Sequence, residues 1–345
     1  MTKLSAGQVG KLVCDSFGEL LSKNLDIKPI VRAHEIVSAS MKTVDPSMAL
    51  YVFGSTAVYG FHESGCDVDF VALSSQDVVD GKGADPSSEL AKNLQVDFLS
   101  RLQTSLREMH NLTWQVDLVR RTRVPVLRVK GGPCGIDFDV TARRRNGVRN
   151  SALLRAYFAQ QPATRWLSMA IKQWSKRAGF NMSVDGGCLT SYGCNLMVVF
   201  YLLQRRLVEF VEPERCDVAH IAPLPSYLPL ELPTQNGCEL GDMVLDFLNF
   251  YLHEFNADTE VITLSRTEKT TKEMLHWTKQ AEDMARICGE KVNYRWCIED
   301  PFEHNLNVGR YVTPFKLTLL RKHMERAKET ALLLNTTEPA FREPL

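Results

Sequence analysis

The sequence lacks the features that mark membrane-spanning, zinc-binding and disulfide-rich secreted proteins. It contains no apolar run long enough to span a membrane, and its 41 basic residues balance 41 acidic ones. Its nine cysteines include no CxxC pair, so neither a zinc site nor a disulfide framework is indicated. The first twenty residues contain neither the apolar core of a signal peptide nor an arginine. We therefore expect a cytoplasmic protein without membrane contact, with the mitochondrion left open as a second compartment.

The balance of charge limits how the protein can meet a nucleic acid. Because the net charge is zero, any such contact must come from local basic patches and not from the charge of the whole chain. The composition is that of an ordinary globular protein, with 44% hydrophobic and 24% charged residues. A length of 345 residues suggests about two domains.

The pattern of residues along the chain changes near residue 48 and again near residue 150. Between these points, short segments rich in Val, Ile, Phe and Tyr are broken by Gly and Pro, which predicts strands: "ALYVF", "DVDFVAL", "TWQVDLVRR", "VPVLRVK" and "GIDFDVT". One helical segment, "ELAKNLQVDFLSRLQTSLREM", interrupts them. This part of the chain is therefore predicted to be a small mixed sheet with few helices.

The remaining chain is predicted to be mostly helical. Helical periodicity occurs near the N-terminus and in three later segments, "RWLSMAIKQWSKRAGF", "GDMVLDFLNFYLHEF" and "KLTLLRKHMERAKETALLL". The proline-rich "IAPLPSYLPLELP" is too apolar for a flexible linker and is predicted to be an extended connector on the surface. The last residues, 336–345, are typical of a flexible tail.

The stretch "FGSTAVYGFHESGCDVDF" carries the first chemical signal. Asp67 and Asp69 are separated by one residue, so on a strand both side chains point to the same face. A third carboxylate is found in "CGIDFDV", on a later predicted strand. Carboxylates that converge from neighbouring strands can hold hard cations such as Mg²⁺. Taken alone, however, the Asp-Val-Asp triplet has about even odds of being only the solvated face of an edge strand.

A Gly-Ser pair upstream of the triplet strengthens the interpretation as a site. The turn at Gly54 and Ser55 would offer backbone N–H groups and a hydroxyl to phosphate oxygens. Two cations held beside such a turn would stabilise both the attacking and the leaving oxygen of a phosphoryl transfer. The sequence thus favours phosphoryl-transfer chemistry in this part of the chain.

These motifs together resemble the GS-x(n)-DxD…D signature of the polymerase-β-type nucleotidyltransferases. Within that superfamily the chain is similar to the minimal terminal uridylyltransferases of kinetoplastids. The similarity runs over nearly the whole chain and includes "GVRNSALLRAYF", "GGCLTSYGCNLMVVFYLLQRR" and "IEDPFEHNLNVGR".

The resemblance implies an α/β + α architecture. A polymerase-β-like nucleotidyltransferase domain with a mixed sheet would pack against a mostly helical nucleotide-binding domain, with the active site in the cleft between them. We expect the catalytic domain over residues 34–145, and the domain that binds the base and triphosphate over residues 1–33 and 146–335.

The resemblance also implies the metal site and the nucleotide site. Asp67, Asp69 and Asp137 would be the catalytic and metal-binding triad, although Asp139 shares a strand face with Asp137 and the residues alone do not choose between them. The cofactor would be two Mg²⁺ ions, with Mn²⁺ as an alternative. The expected UTP-binding residues are Gly54, Ser55, Cys66, Asn150, Ser151, Lys172, Lys176, Ser191, Tyr192, Asp300 and Glu303.

Several of these residues have an ordinary structural interpretation as well. Lys172 and Lys176 lie four apart on a predicted helix, opposite its apolar face, where lysines are commonly just solvated. Ser191 precedes an apolar helix and is predicted to be its N-cap, and Tyr192 on its own would more often be a core tyrosine. Cys66 departs from the family, which usually has Ser there, and a thiol is a weak donor to phosphate.

Contacts to RNA are expected from arginines. "VRRTRVPVLRVK" and "TARRRNGVRN" cluster arginines around the predicted catalytic strands, which suits a polyanionic primer, although solvated arginines are equally common. The expected RNA-binding residues are Arg121, Arg123, Arg144 and Arg310.

The resemblance implies a template-independent enzyme that adds UMP from UTP to RNA 3′ ends by a two-metal mechanism and releases pyrophosphate. The expected partners are UTP, a single-stranded RNA 3′ end and proteins of an RNA-processing complex, with the chain itself a monomer. The alternatives are a poly(A)-type adenylyltransferase and a catalytically silent RNA-binding scaffold. Asp300 and Glu303 only accept hydrogen bonds when ionised, so they suit the N3–H donor of uracil and oppose the N1 acceptor of adenine.

Overall fold

The computed structural model describes residues 5–23, 27–62, 66–79, 88–110, 114–181, 187–226, 228, 238–288 and 294–330. The chain divides into two compact units. One, here called the sheet unit, comprises Leu20–Arg155 and Glu214–Leu230. The other, here called the helical unit, comprises Met1–Glu19, Ala156–Pro213 and Glu231–Leu345.

The described residues form five strands and eleven α-helices. The strands are β1 Met48–Phe53, β2 Val68–Ser74, β3 Gln115–Val119, β4 Val126–Lys130 and β5 Phe138–Ala142. The helices are α1 Ala6–Lys23, α2 Lys28–Val44, α3 Gly54–Tyr59, α4 Ser75–Val79, α5 Glu89–His110, α6 Asn146–Gln160, α7 Pro162–Arg177, α8 Ser191–Gln204, α9 Cys238–Asn249, α10 Trp277–Cys288 and α11 Pro314–Thr330. All five predicted strands and the predicted helix between them are confirmed.

The sheet has the strand order β1-β2-β5-β4-β3. Strands β2 and β5 are parallel, whereas the other neighbouring pairs are antiparallel, so the predicted mixed sheet is confirmed. In the parallel pair, Val68 lies beside Phe138 and Asp69 beside Asp139. The two strands that carry the Asp-x-Asp patterns are therefore immediate neighbours.

Alternation of side chains assigns the two faces of β2 and β5. Val68 and Phe70 are fully buried, as are Phe138 and Val140, and the rings of Phe70 and Phe138 meet edge to face at 5.5 Å. These residues pack with α2 and α5 in the main core of the sheet unit. Burial of each such side chain contributes about 1.5–3 kcal/mol. Since successive residues point to opposite faces, the aspartates of both strands lie on the other face.

The helical unit has a core of long apolar helices. Helix α8 is buried from Gly193 to Leu202, as is expected of a helix that is apolar on all sides. Helix α9 continues into a π-helical turn at Phe250–Glu254, where the Tyr251 hydroxyl donates to the Met197 carbonyl at 2.7 Å. Trp166, Trp277 and Trp296 are fully buried in this unit.

Some predictions fall outside the described residues. The predicted tail at 336–345 and part of the proline-rich connector 221–233, namely 227 and 229–233, belong to this group. None of the helices in the described part of the chain is long and apolar enough to cross a bilayer. None of the six cysteines whose side chains are described takes part in a disulfide. The assignment of residues 34–145 to catalysis and of 1–33 and 146–335 to nucleotide binding stays a prediction.

Candidate active site

The aspartates lie where β2 and β5 begin. The Val68 amide donates to the Asp137 carbonyl at 3.0 Å, so Asp67 and Asp137 lead into neighbouring strands, one step before the paired Asp69 and Asp139. Asp67 is exposed, whereas the other three are half-buried. Four carboxylates thus share one face of two adjacent strands, where their mutual repulsion favours a bound cation.

The two aspartates of β5 have different partners. Asp139 forms an ion pair with Arg128 of β4, at 3.3 Å from Nε to Oδ1. Burial raises the pKa of Asp139 and nearby Asp67 adds to the rise, whereas Arg128 opposes it. Asp137 instead accepts the Gly131 amide at 2.8 Å. A neutral donor is a weaker partner than a guanidinium, so Asp137 is the easier of the two to turn toward a cation.

Oxygen donors of this kind suit Mg²⁺, which is bound through carboxylates. As they stand, however, no three acidic, histidine or cysteine side chains of the described residues surround a common point that could hold an ion. The carboxylates fit a metal by their chemistry and by their position on neighbouring strands. Asp137 would have to exchange its bond to Gly131 for the ion.

The Gly-Ser turn lies directly against the carboxylates. Phe53 at the end of β1 pairs with Asp69, and Gly54 follows with φ +71°, in the left-handed region that favours glycine. A Cβ added at Gly54 would collide with Asp69 Oδ2. The turn therefore requires glycine both for its backbone conformation and for its close approach to Asp69. Ser55, half-buried, is the second residue of α3.

Helix α6 holds this turn in place. The Ser151 hydroxyl accepts the Gly54 amide at 2.8 Å and donates to the Gly147 carbonyl at 2.8 Å. Ser151 is only 5% exposed, and Asn150 beside it is half-buried. Ser151, predicted as a nucleotide contact, thus has a structural role that the sequence did not indicate. Cys66, half-buried, directly precedes Asp67.

The lysines of the helical unit differ from the expectation of a solvated pair. Both lie on α7, but Lys172 is 5% exposed and buried, whereas Lys176 is half-buried. The ordinary interpretation of a solvated lysine is therefore wrong for Lys172. Lysine is almost never fully buried without a partner, so its position is better explained by a specific polar role than by solvation.

Helix α8 begins at Ser191, the residue that was predicted to be its N-cap. Thr190 has an extended backbone, and its side chain accepts the Gly193 amide at 3.0 Å, so Thr190 is the N-cap. The prediction of Ser191 as N-cap is wrong, because Ser191 is the first helical residue. Its hydroxyl accepts Asn181 Nδ2 at 3.0 Å. Ser191 still lies at a helix N-terminus, where anions are favoured.

Tyr192 and Asp300 are joined by a hydrogen bond. The Tyr192 hydroxyl donates to Asp300 Oδ2 at 3.0 Å, while Asp300 Oδ1 accepts the amides of Phe302 and Glu303, each at 2.9 Å. Asp300 is 3% exposed, and burial raises its pKa, although these three donors oppose the rise. Burial and Asp300 raise the pKa of Tyr192 as well. Asp300 therefore fixes both the ring of Tyr192 and the turn that carries half-buried Glu303.

A buried carboxylate behind this turn was not identified in the sequence. Glu299 is 1% exposed and accepts from the Thr263 hydroxyl, from Arg266 at 3.0 Å and from His304 Nδ1 at 3.2 Å. In the sequence, only the adjacent Asp300 pointed to Glu299, since its partners Thr263 and Arg266 come from a distant part of the chain. Through His304, this cluster ties the turn to the segment that carries Thr263 and Arg266.

The predicted RNA-binding arginines are distributed over both units. Arg121 and Arg123 are exposed between β3 and β4, and Arg144 is half-buried after β5. In the helical unit, half-buried Arg310 lies over the Tyr311 ring at 4.6 Å. Other arginines of the two sequence clusters contact the protein itself, namely Arg128 with Asp139, Arg143 with Asp77 and Arg149 with the Cys216 carbonyl.

Each unit thus gathers part of the predicted site. In the sheet unit these are Gly54, Ser55, Cys66, Asp67, Asp69, Asp137, Asn150 and Ser151. In the helical unit they are Lys172, Lys176, Ser191, Tyr192, Asp300, Glu303 and Arg310.

Comparison with known families defines the class of protein. Residues 11–159 match the central palm domain of mitochondrial-like poly(A) RNA polymerases, and residues 239–306 match the Cid1 family of poly(A) polymerases. The sheet with its aspartates is therefore the palm of a nucleotidyltransferase.

Individual relatives narrow the class further. The chain is 58% identical to terminal uridylyltransferase 4 of Trypanosoma brucei brucei over 95% of this chain and 98% of that protein. A solved structure of the Trypanosoma brucei protein with bound UTP and UpU has a TM-score of 0.86 at 56% identity, covering 96% of this chain and all of that one. Terminal uridylyltransferase cid1 of Schizosaccharomyces pombe is 26% identical over 90% of this chain and 76% of that protein. The chain belongs to the terminal uridylyltransferase family.

Proposed function

We propose that this protein adds UMP from UTP to the 3′ end of RNA and releases pyrophosphate, without a template. One observation carries the proposal: carboxylates from two adjacent parallel strands share a face beside a glycine turn that can approach phosphate closely. The high identity to a terminal uridylyltransferase over almost the whole chain supports it. An adenylyltransferase remains the second candidate, because both matching family models describe poly(A) polymerases.

The residues of the sheet unit would act on the reacting phosphate. Asp67, Asp69 and Asp137 would hold two Mg²⁺ ions, which supply charge neutralisation and activation of the attacking hydroxyl when bound. The backbone at Gly54 and the Ser55 hydroxyl would contact phosphate oxygens.

The residues of the helical unit would bind the rest of the nucleotide. Buried Lys172 and half-buried Lys176 supply positive charge for the triphosphate, and Ser191 supplies a hydroxyl at a helix N-terminus. The Tyr192 ring, fixed by Asp300, would stack on the base. Stacking tolerates every base, so the choice of uracil would depend on the carboxylate turn. Solved structures of the Trypanosoma brucei protein hold CTP, GTP and ATP as well as UTP, so selectivity has to be measured during transfer.

The deciding experiment is incubation of the protein with a short single-stranded RNA, Mg²⁺ and each of the four NTPs separately. Extension with UTP well above extension with ATP supports uridylyl transfer. Preferred extension with ATP would support the adenylyltransferase instead, and RNA binding without extension would support the silent scaffold.

Gly54→Ala is expected to lower the rate of UMP incorporation by about a hundredfold, since a misplacement of about 1 Å can cost that much. The new Cβ would displace Asp69, in addition to straining the backbone. Gly135→Ala is the matched control, because Gly135 has φ +76° but nothing within 4 Å of the added Cβ. Steady-state incorporation by both variants measures the difference. Equal losses would mean that backbone strain, and not the contact with Asp69, is responsible.

RNA binding is expected to weaken steeply as salt rises. With four arginines on phosphates, log affinity should fall with log salt at a slope of about −3, since each contact on a single strand contributes about −0.7. The double variant Arg121→Gln/Arg123→Gln should make this slope shallower by about 1.4. Arg101→Gln, an exposed arginine paired with Asp97 on α5, serves as control. An unchanged slope in the double variant would place Arg121 and Arg123 outside the RNA contact.

A further inference from the structure

One segment of this neutral chain carries only positive charge. Between His304 and Met324 there is no Asp or Glu, whereas Arg310, Lys316, Arg321 and Lys322 are basic. The segment runs from the carboxylate turn into the first half of α11. Such a run of basic residues contributes a positive potential that attracts a polyanion.

Two aromatic rings of this segment face solvent. Tyr311 is 45% exposed and Phe315 is 49% exposed, whereas the large aromatic residues of the core, such as Trp277, Trp296 and Tyr251, are buried. The guanidinium of Arg310 lies 4.6 Å from the centre of the Tyr311 ring, which makes a cation–π pair. Exposed rings and guanidinium planes are the groups on which unpaired bases stack.

The backbone that carries these side chains is fixed by packing and by hydrogen bonds. Gly309 is packed so tightly against the backbone of Trp296 that a Cβ would collide with it. Val312 is fully buried, and its amide donates to the Gly309 carbonyl at 3.0 Å. Thr313 then caps α11, because its hydroxyl accepts the Lys316 amide at 3.3 Å and its carbonyl the Leu317 amide at 2.8 Å. A preformed surface loses little conformational entropy when a ligand binds.

The same segment is continuous with the carboxylate turn. Asn307, 4% exposed, accepts the amides of Ile298 and Gly309 with its Oδ1, at 3.0 and 2.9 Å. Its carbonyl accepts Arg310 Nη1 at 3.2 Å. The turn that carries Asp300 and the surface that carries Tyr311 are thus joined through one buried asparagine.

We propose that Tyr311 and Phe315, together with Arg310, form a base-stacking surface for the single-stranded RNA that the enzyme extends. The inference rests on the proposed function, because it assigns this surface to the primer. Stacking on the rings tolerates any base, and the surrounding basic residues contact phosphates, so the surface binds single strands with little preference for sequence.

The test is the affinity of the full chain for a fluorescein-labelled oligouridylate about twelve nucleotides long, the scale of a single-strand site, measured by fluorescence anisotropy. Tyr311→Ala and Phe315→Ala should each weaken binding about tenfold, and the double variant further, since loss of one stacking ring has an effect of this order. Tyr311→Phe should bind like the wild type because the ring is kept. Phe315→Leu should bind like Phe315→Ala because it is apolar but has no π-face.

Met274→Ala is the matched control, because Met274 is an exposed apolar residue of the same unit, at 57% exposure. Wild-type affinity in the Tyr311→Ala/Phe315→Ala variant would overturn the proposal. Wild-type affinity in Phe315→Leu, or an equal loss in Met274→Ala, would overturn stacking as the cause.

The failure of this inference is distinguishable from failure of the proposed function. If the wild type extends RNA with UTP while the ring variants bind RNA normally, only the stacking surface is wrong. If the wild type extends no RNA with any NTP, the proposed function is wrong, and the anisotropy measurement still decides whether the rings bind RNA.

Discussion

Asp67→Ala and Asp69→Ala are expected to abolish UMP incorporation while the protein stays folded. Both side chains lie on the face of β2 opposite the main core, so their truncation leaves no cavity among Val68, Phe70 and Phe138. Each substitution withdraws a carboxylate that would hold a divalent ion, and such an ion stabilises the transition state by several kcal/mol. At about 1.4 kcal/mol for each factor of ten, the rate should fall by roughly a thousandfold or more.

The control is Asp117→Ala, which removes an exposed carboxylate from β3 of the same sheet. Incorporation of labelled UMP and the thermal unfolding midpoint are measured for all three variants. Retained turnover in Asp67→Ala or Asp69→Ala with an unchanged unfolding midpoint would rule out the metal site proposed for this face.

The same assay decides between the two aspartates of β5. Asp137→Ala should behave like Asp67→Ala, because among the described residues Asp137 has only the Gly131 amide to release. Asp139→Ala should retain measurable activity, because its carboxylate is paired with Arg128. The opposite result would make Asp139 the third ligand.

Asp300→Ala is expected to destabilise the protein and to raise the KM for UTP. Three donors lose their acceptor in a buried place, namely the amides of Phe302 and Glu303 and the Tyr192 hydroxyl. Unsatisfied buried groups cost about 1–3 kcal/mol each, so the three together should lower the free energy of unfolding by about 3 kcal/mol or more. Urea unfolding measures it. Asp300→Asn, which keeps an acceptor for the two amides, should lose less.

Glu303→Ala is expected to leave the protein folded and to narrow the preference for UTP over ATP. Glu303 is half-buried on the turn that Asp300 fixes, and an ionised carboxylate accepts from uracil N3–H but opposes adenine N1. Mismatched buried polar groups discriminate strongly between substrates. The ratio of kcat/KM for the two nucleotides is the measurement. If Asp300→Ala and Glu303→Ala both kept full UTP preference, Asn150 and Ser151 would have to select the base.

Local patterns in the sequence determined the kinds of elements and the faces of the strands. Alternation of apolar and acidic residues in "DVDFVAL" and "GIDFDVT" assigned the aspartates to one face, because a strand has a side-chain period of two. The resemblance to a family then supplied residues that no pattern could identify, such as Tyr192 and Lys172. The one local prediction that failed at a helix end, Ser191 as N-cap, depended on the extended backbone of Thr190.

Only the tertiary structure decided which residues meet. The parallel pairing of β2 with β5 places Asp69 beside Asp139. Which strands pair depends on how the whole sheet packs and not on any single strand. Ser151 contacts Gly54 across 97 residues, and Tyr192 contacts Asp300 across 108. Such contacts form when distant segments pack their apolar faces together, so no local window of sequence contains them. For the same reason burial of Lys172 and Glu299 followed from packing and not from the residues beside them.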